Sequence, residues 1–238
     1  MQSTQVLAYA VITAIIAAAS ALQAGTGMGM ALLAAPLLVL IDPALVPGPM
    51  LCAVVVLSVA VGWRERAVVD RQALALALAG LLGGSVIGAL AIVLLTGLHL
   101  APIFAAVILA TVLLSVLGPH VRATRPALLI GGAAAGIVGT MFGVHGPPIA
   151  IVLQHEPPAR LRATLCAFFA IGCTISLALL AMFRRFGISQ LGLGLELLPG
   201  VAIGFGCAPL VARMLDRRRA RIAVLTISAL SAIALLLR

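Results

Sequence analysis

The stretch Gln23-Ala24-Gly25-Thr26-Gly27-Met28-Gly29-Met30 interrupts a long apolar run and leads at once into Ala31–Ile41, with Pro36 inside it. Just past the middle of the chain, Gly139-Thr140-Met141-Phe142-Gly143-Val144-His145-Gly146-Pro147-Pro148 does the same and leads into Ile149–Leu153. A helix interrupted in hydrocarbon frees N–H and C=O groups that must find partners in protein, in water or in a ligand. Two such breaks at corresponding places in two halves point to a transport site.

Working outward, the composition fits that setting. Of 238 residues, 63% are hydrophobic and 9% charged, and the mean hydropathy is +1.28. A typical soluble domain is about a quarter charged. Many apolar runs approach the ~20 residues that span a bilayer as helix, and the alternating pattern of a membrane barrel is absent. The fold expected is an all-α polytopic membrane protein. The net charge of +9 comes from arginines clustered between apolar runs, so it reports orientation. Aromatic residues are 4%, too few to suggest stacking platforms for bases, and nucleic acid is not an expected partner. Cys52, Cys166, Cys173 and Cys207 lie inside apolar runs without metal-ligand spacing, so neither a disulfide framework nor a metal site is indicated. No cofactor is expected. The region Met1–Tyr9 lacks a basic side chain, so Val6–Leu22 reads as a membrane helix of the mature protein, not a cleaved signal.

In order, the apolar runs are about Thr4–Leu22, Met30–Ile41, Met50–Trp63, Ala73–Thr96 and Ala101–Leu117, then Ala127–Thr140, Pro147–Leu153, Ala163–Phe183, Leu191–Ala212 and Ile222–Leu237. The second set repeats the first. Gly27 falls on Gly143, and Leu51-Cys52-Ala53 falls on Leu165-Cys166-Ala167. Residues 1–118 and 119–238 are therefore read as two repeats of one membrane domain, with about eight to ten transmembrane segments. Each repeat holds a broken or re-entrant helix. An odd number of segments per half makes the repeat inverted. With both termini outside, Arg64, Arg66, Arg71, Arg122, Arg125, Arg160, Arg162 and the cluster Arg213–Arg221 fall inside, and Arg184, Arg185 and Arg238 outside. That matches the positive-inside bias.

A helix that starts within the membrane exposes unpaired N–H groups and its positive dipole end, and neighbouring glycines let an anion reach them. The candidate binding residues are Gln23, Gly25, Thr26, Gly27, Met28 and Gly29 at the first break, and Gly143, Val144, His145, Gly146 and Pro147 at the second. Thr140 can add a hydroxyl. Gly83, Gly84 and Gly88 are read as small residues for close helix packing. Asp42, Glu65, Asp70, Glu156 and Asp216 sit at run ends or in loops, and Glu196 alone falls within an apolar run. Cation carriers usually keep a carboxylate inside the membrane, so the pattern favours an anionic substrate. His145 and Glu196 are the candidates for carrying a coupling proton, with His145 equally readable as a helix-start histidine bonded to a carbonyl.

These residues resemble the sulfite exporter TauE/SafE family. The resemblance rests on Gly25–Gly29 followed by Pro36-Leu37-Leu38, on Gly139–Pro148 with its Phe-Gly-x-x-Gly-Pro core, and on Arg162-Ala163-Thr164. It covers essentially the whole chain. It implies a bacterial inner-membrane carrier of sulfite, a sulfonate such as sulfoacetate, or a related organic anion, coupled to a proton or sodium gradient. His145 stands where the second motif often has glycine, and Gly27-Met28-Gly29-Met30 replaces a glycine triplet. The reading that follows is a secondary anion transporter working by alternating access, with Thr164 added to the selectivity residues. The rival classes are a membrane assembly or sensor subunit without transport, an open channel, and an intramembrane enzyme, for which no nucleophile–base pair is evident.

Overall fold

The fold is given by a computed structural model that describes residues 2–95, 100–117, 121–214 and 217–237. The turn at Gly97–Leu100, the central loop with His120, the loop histidine His99 and the basic stretch Arg213–Arg221 with Asp216 lie wholly or partly outside the described residues. Among those described there are only helices: α1 (Gln2–Thr26), α2 (Met30–Ile41), α3 (Gly48–Glu65), α4 (Arg71–Leu94), α5 (Leu100–Leu117), α6 (Arg125–Phe142), α7 (Gly146–Leu153), α8 (Pro158–Met182), α9 (Ile188–Glu196), α10 (Leu198–Met214) and α11 (Arg217–Leu236).

Five stretches are long and apolar enough to cross a membrane, namely Gln5–Thr26, Arg71–Leu94, Arg125–Phe142, Pro158–Met182 and the α9–α10 stretch Ile188–Leu210. The chain is thus a multi-pass membrane protein. The count of eight to ten spans is not reached by length alone. With 12 residues in α2 and 8 in α7, these two rise only about 18 and 12 Å, against a hydrocarbon core of about 30 Å. Each reaches part way. The breaks themselves are narrower than the sequence suggests, because α1 stays helical through Thr26 and α6 through Phe142. Gly27–Gly29 and Gly143–His145 carry the change of direction.

Packing is dominated by α4 against α6, α1 against α10 and α3 against α8, with α11 lying on α2 and α5, and α7 touching α5. The α4–α6 contact is a glycine contact. A β-carbon at Gly84 would strike the Ala133 carbonyl, one at Gly132 the Ala77 carbonyl, and one at Gly88 would lie 2.8 Å from the Ile137 oxygen. Gly83 faces open space instead, so of the three glycines read as packing residues only two serve that contact. On the α1–α10 side, Gly200 and Gly204 approach the Thr13 and Ala17 carbonyls. Close backbone approach gives dispersion contact that apolar side chains facing lipid cannot. Helices α3 and α8 run antiparallel, since Glu65 meets Arg162, Gly62 faces Cys166, and Val54 shares a cavity wall with Phe169 and Cys173.

Helix α2 is fixed by a repair. Pro36 lies inside it and brings no N–H for the carbonyl four residues earlier. That carbonyl is Leu32 O, and the buried Ser228 hydroxyl from α11 lies 2.7 Å away, at the same distance from Val224 O in its own helix. One hydroxyl proton serves both oxygens in turn.

Two outcomes follow, both read by thermal unfolding in detergent. Gly84→Ala lowers stability by about 1–3 kcal/mol or more, whereas Gly83→Ala leaves it unchanged. Ser228→Ala costs about 1–3 kcal/mol by orphaning Leu32 O, and most of that cost disappears in a Pro36→Ala background, where the new amide supplies the missing bond. Equal costs in both backgrounds would dismiss the repair.

Candidate functional site

Both breaks are built on left-handed glycines. Gly27 and Gly29 have φ of 88° and 116°, and Gly143 has φ of 77°, a region that side chains with a β-carbon rarely adopt. Each break is braced by the other half of the chain. A β-carbon at Gly27 would lie 2.7 Å from the Cα of Arg162, and one at Gly143 would strike the Met50 side chain. Arg162 does more. Its Nε donates to both Glu65 carboxylate oxygens at 2.8 Å, and its Nη1 reaches the Gly25 carbonyl at 3.3 Å. That carbonyl belongs to the last turn of α1, where no following turn of helix can pair it.

The two breaks meet. A cavity of about 310 Å³ is lined by Thr26, Met28 and Gly29 from the first and Pro147 from the second, with Ser115, Gln154 and apolar side chains completing it. A second cavity of about 20 Å³ is lined by Gln23, Met28 and Gly29 on one side and Gly143, His145, Gly146 and Pro147 on the other. That is room for about one water molecule. Among the described residues no Arg, Asp or Glu contributes to either wall.

The N-terminus of α2 has no side-chain cap, and its first backbone bond is Leu33 N–H to Gly29 O at 3.0 Å. The N–H groups of Met30, Ala31 and Leu32 thus lack intrahelical partners. The start of α7 differs from the symmetric picture the sequence suggests. Pro147 and Pro148 occupy its first turn and bring no N–H, so of its first three residues Gly146 alone carries one. The two breaks are unequal. One offers a row of amides, the other an imidazole and a single amide.

Side chains near the breaks are bonded within the protein. Gln23, buried, donates from Nε2 to Ser58 Oγ at 3.0 Å. Thr26 Oγ1 sits 2.8 Å from Leu22 O and 2.6 Å from Met28 O, which holds the turn. His145 Nε2 is 3.0 Å from Ser176 Oγ, which is 2.7 Å from Thr140 Oγ1, and His145 Nδ1 faces Cys173 Sγ at 3.7 Å. The ring rests on Gly139, where any β-carbon would collide with it.

Five of the sequence candidates line neither cavity: Gly25 and Gly27, which shape the first break, and Val144, Thr164 and Glu196. Val144 is fully buried and lines neither cavity. Thr164 is likewise absent from both walls, and its hydroxyl accepts the Asp70 N–H at 3.0 Å while Asp70 caps α4 through Ala73 N–H. Thr164 ties α8 to the start of α4. Glu196, at the end of α9, is exposed, and its backbone carbonyl accepts the Tyr9 hydroxyl at 3.3 Å. The sequence reading missed Ser58, Ser176 and Arg162 as partners of the breaks. Ser58 and Ser176 carry a signal in hindsight, since they are 118 positions apart, one helical turn from the offset of the two Leu-Cys-Ala triplets. Nothing local to Arg162 or Glu65 announces their pairing.

No curated protein and no solved structure matches the chain. A family model described as Sulfite exporter TauE/SafE matches residues 12–235. The family is one of transport proteins, not enzymes, and the match runs through both glycine breaks and every helix that lines the cavities. The chain belongs to the sulfite exporter TauE/SafE family.

Proposed function

We propose that the protein is a secondary transporter of a small anion, driven by an ion gradient and working by alternating access in the bacterial inner membrane. The observation that carries this reading is the convergence of both breaks on one pair of adjoining cavities. In it the anion is held by the N–H groups of Met30, Ala31 and Leu32, reinforced by the positive end of the α2 dipole. The Gly146 N–H approaches from the opposite side. Gln23, Thr26 and His145 set selectivity.

The larger cavity narrows the substrate. At about 310 Å³, with walls that are mostly Leu, Ile, Val and Pro carbons, it suits an anion with an organic body better than bare sulfite. Apolar walls with a few placed donors are the usual make-up of a small-molecule site. A sulfonate or carboxylate of modest size is the class we infer.

Alternating access needs two bodies that rock about the site. The packing supports two such repeats. Exchanging α1, α2, α3, α4 and α5 for α6, α7, α8, α10 and α11 turns α1–α10 into α6–α4 and α2–α11 into α7–α5, and all four pairs are in contact. The corresponding helices α3 and α8 run antiparallel, as an inverted repeat requires. The arginine bias then puts both termini on the periplasmic side.

The test is uptake and efflux of radiolabelled sulfite, sulfoacetate and simple carboxylates in proteoliposomes. Wild type carries at least one of them saturably. Gly27→Leu and Gly143→Leu, which put a side chain onto Arg162 and Met50, lower that flux by about tenfold or more, equivalent to about 1.4 kcal/mol, in protein that still elutes as folded. Absence of flux for every anion in both directions would favour a non-transporting subunit.

A further inference from the structure

The cluster around His145 has a property that the anion site alone does not need. In a neutral imidazole one ring nitrogen donates and the other accepts. With Nε2 as acceptor, it takes the Ser176 hydroxyl proton, and Ser176 Oγ takes that of Thr140. With Nε2 as donor, the chain reverses: Nε2–H points at Ser176 Oγ, and the Ser176 proton points at Thr140 Oγ1. The heavy-atom distances of 3.0 and 2.7 Å serve both directions. On the other edge, Cys173 Sγ at 3.7 Å from Nδ1 accepts weakly when that nitrogen is protonated. A cationic ring, donating from both nitrogens, is thus received by turning two hydroxyl groups, with no movement of heavy atoms.

Among the described residues the ring has no counter-charge. The titratable groups facing it are the thiol of Cys173 from α8 and, beyond that, Cys52 of α3. Helices α1 and α6 bring only Gln23 and Thr140, and α2 brings backbone and apolar side chains. The carboxylate linked to the first break through Arg162, that of Glu65, is engaged by that guanidinium. His145 lines the small cavity together with Gly29, the residue that opens α2. An anion on the α2 amides would be the missing counter-charge, and opposite charges brought together in an apolar wall stabilise one another far more than in water.

We propose that the coupling ion is a proton, carried on His145 and accommodated by Ser176 and Thr140, so that anion and proton load and cross together. This rests on the anion-carrier reading above. Each step is a proton transfer without redox change: a water-borne proton is taken by a ring nitrogen on loading, and the same nitrogen returns it to water on release. Ser176 and Thr140 are positioning residues, since neither lines a cavity.

The experiment follows lumenal pH with a trapped dye while sulfoacetate enters proteoliposomes. Sulfoacetate is fully ionised near neutral pH and brings no proton of its own, unlike bisulfite. Wild type acidifies the lumen in step with anion entry, and uptake rises as external pH falls, by up to about tenfold per unit, the limit for one proton bound per cycle. His145→Gln abolishes the pH signal. Ser176→Ala flattens the pH profile and lowers the protons carried per anion, and Ser176→Thr, which keeps the hydroxyl, restores both. Proton movement in His145→Gln equal to wild type, or wild-type anion entry without any pH change, would overturn the coupling and leave the carrier standing. Wild type that moves no anion would overturn both.

Discussion

A backbone amide or carbonyl released inside an apolar protein has no water to turn to, and leaving it unpaired costs several kcal/mol. Most of the architecture around the two breaks can be understood as the handling of that constraint. The Leu32 carbonyl, orphaned by Pro36, is met by Ser228 from α11. The Gly25 carbonyl, at the end of α1, is met by Arg162 from α8. The Gly27 and Gly143 amides fold back onto Gln23 O and Gly139 O at 2.7 and 2.8 Å. Among the described residues the first turn of α2 has no side-chain cap, and Ala31 and Leu32 of that turn line the cavities.

The same constraint makes the two halves unequal. A strictly symmetric pair of helix starts would hold an anion from both sides. Pro147 and Pro148 remove two amides from α7, and His145 stands at its N-cap position with its own hydrogen-bond cluster. In our reading one half supplies amides for a negative charge and the other a side chain that can become positive.

Much of the fold was legible in the sequence because its causes are local. Apolar run lengths located the helices, Gly27 and Gly143 marked the changes of direction, and the prolines after the breaks marked short segments. The extents of the breaks were misjudged, because Gln23, Gly25 and Thr26 look like a loop but complete a turn of α1 whose bonds they can still make. The donor loss at Pro147-Pro148 was visible in the letters and became meaningful only once that stretch was seen to open a helix. Partnerships across the halves were not legible: Arg162 with Glu65 and Gly25, Ser228 with Leu32, and Thr164 with Asp70 depend on how α8 and α11 pack. Thr164, read from the sequence as a selectivity residue, accepts the Asp70 N–H in the structure.

The central claim is that both breaks bound a single anion site. It is tested most directly by substrate protection in a protein whose native cysteines have been replaced, with one cysteine introduced at Met28→Cys or at Ala150→Cys, both on the wall of the larger cavity. The rate of modification by a small thiol reagent would be measured against sulfoacetate concentration. The account predicts that both positions are protected with the same half-saturating concentration. Protection at one position only, or at two clearly different concentrations, would contradict a shared site.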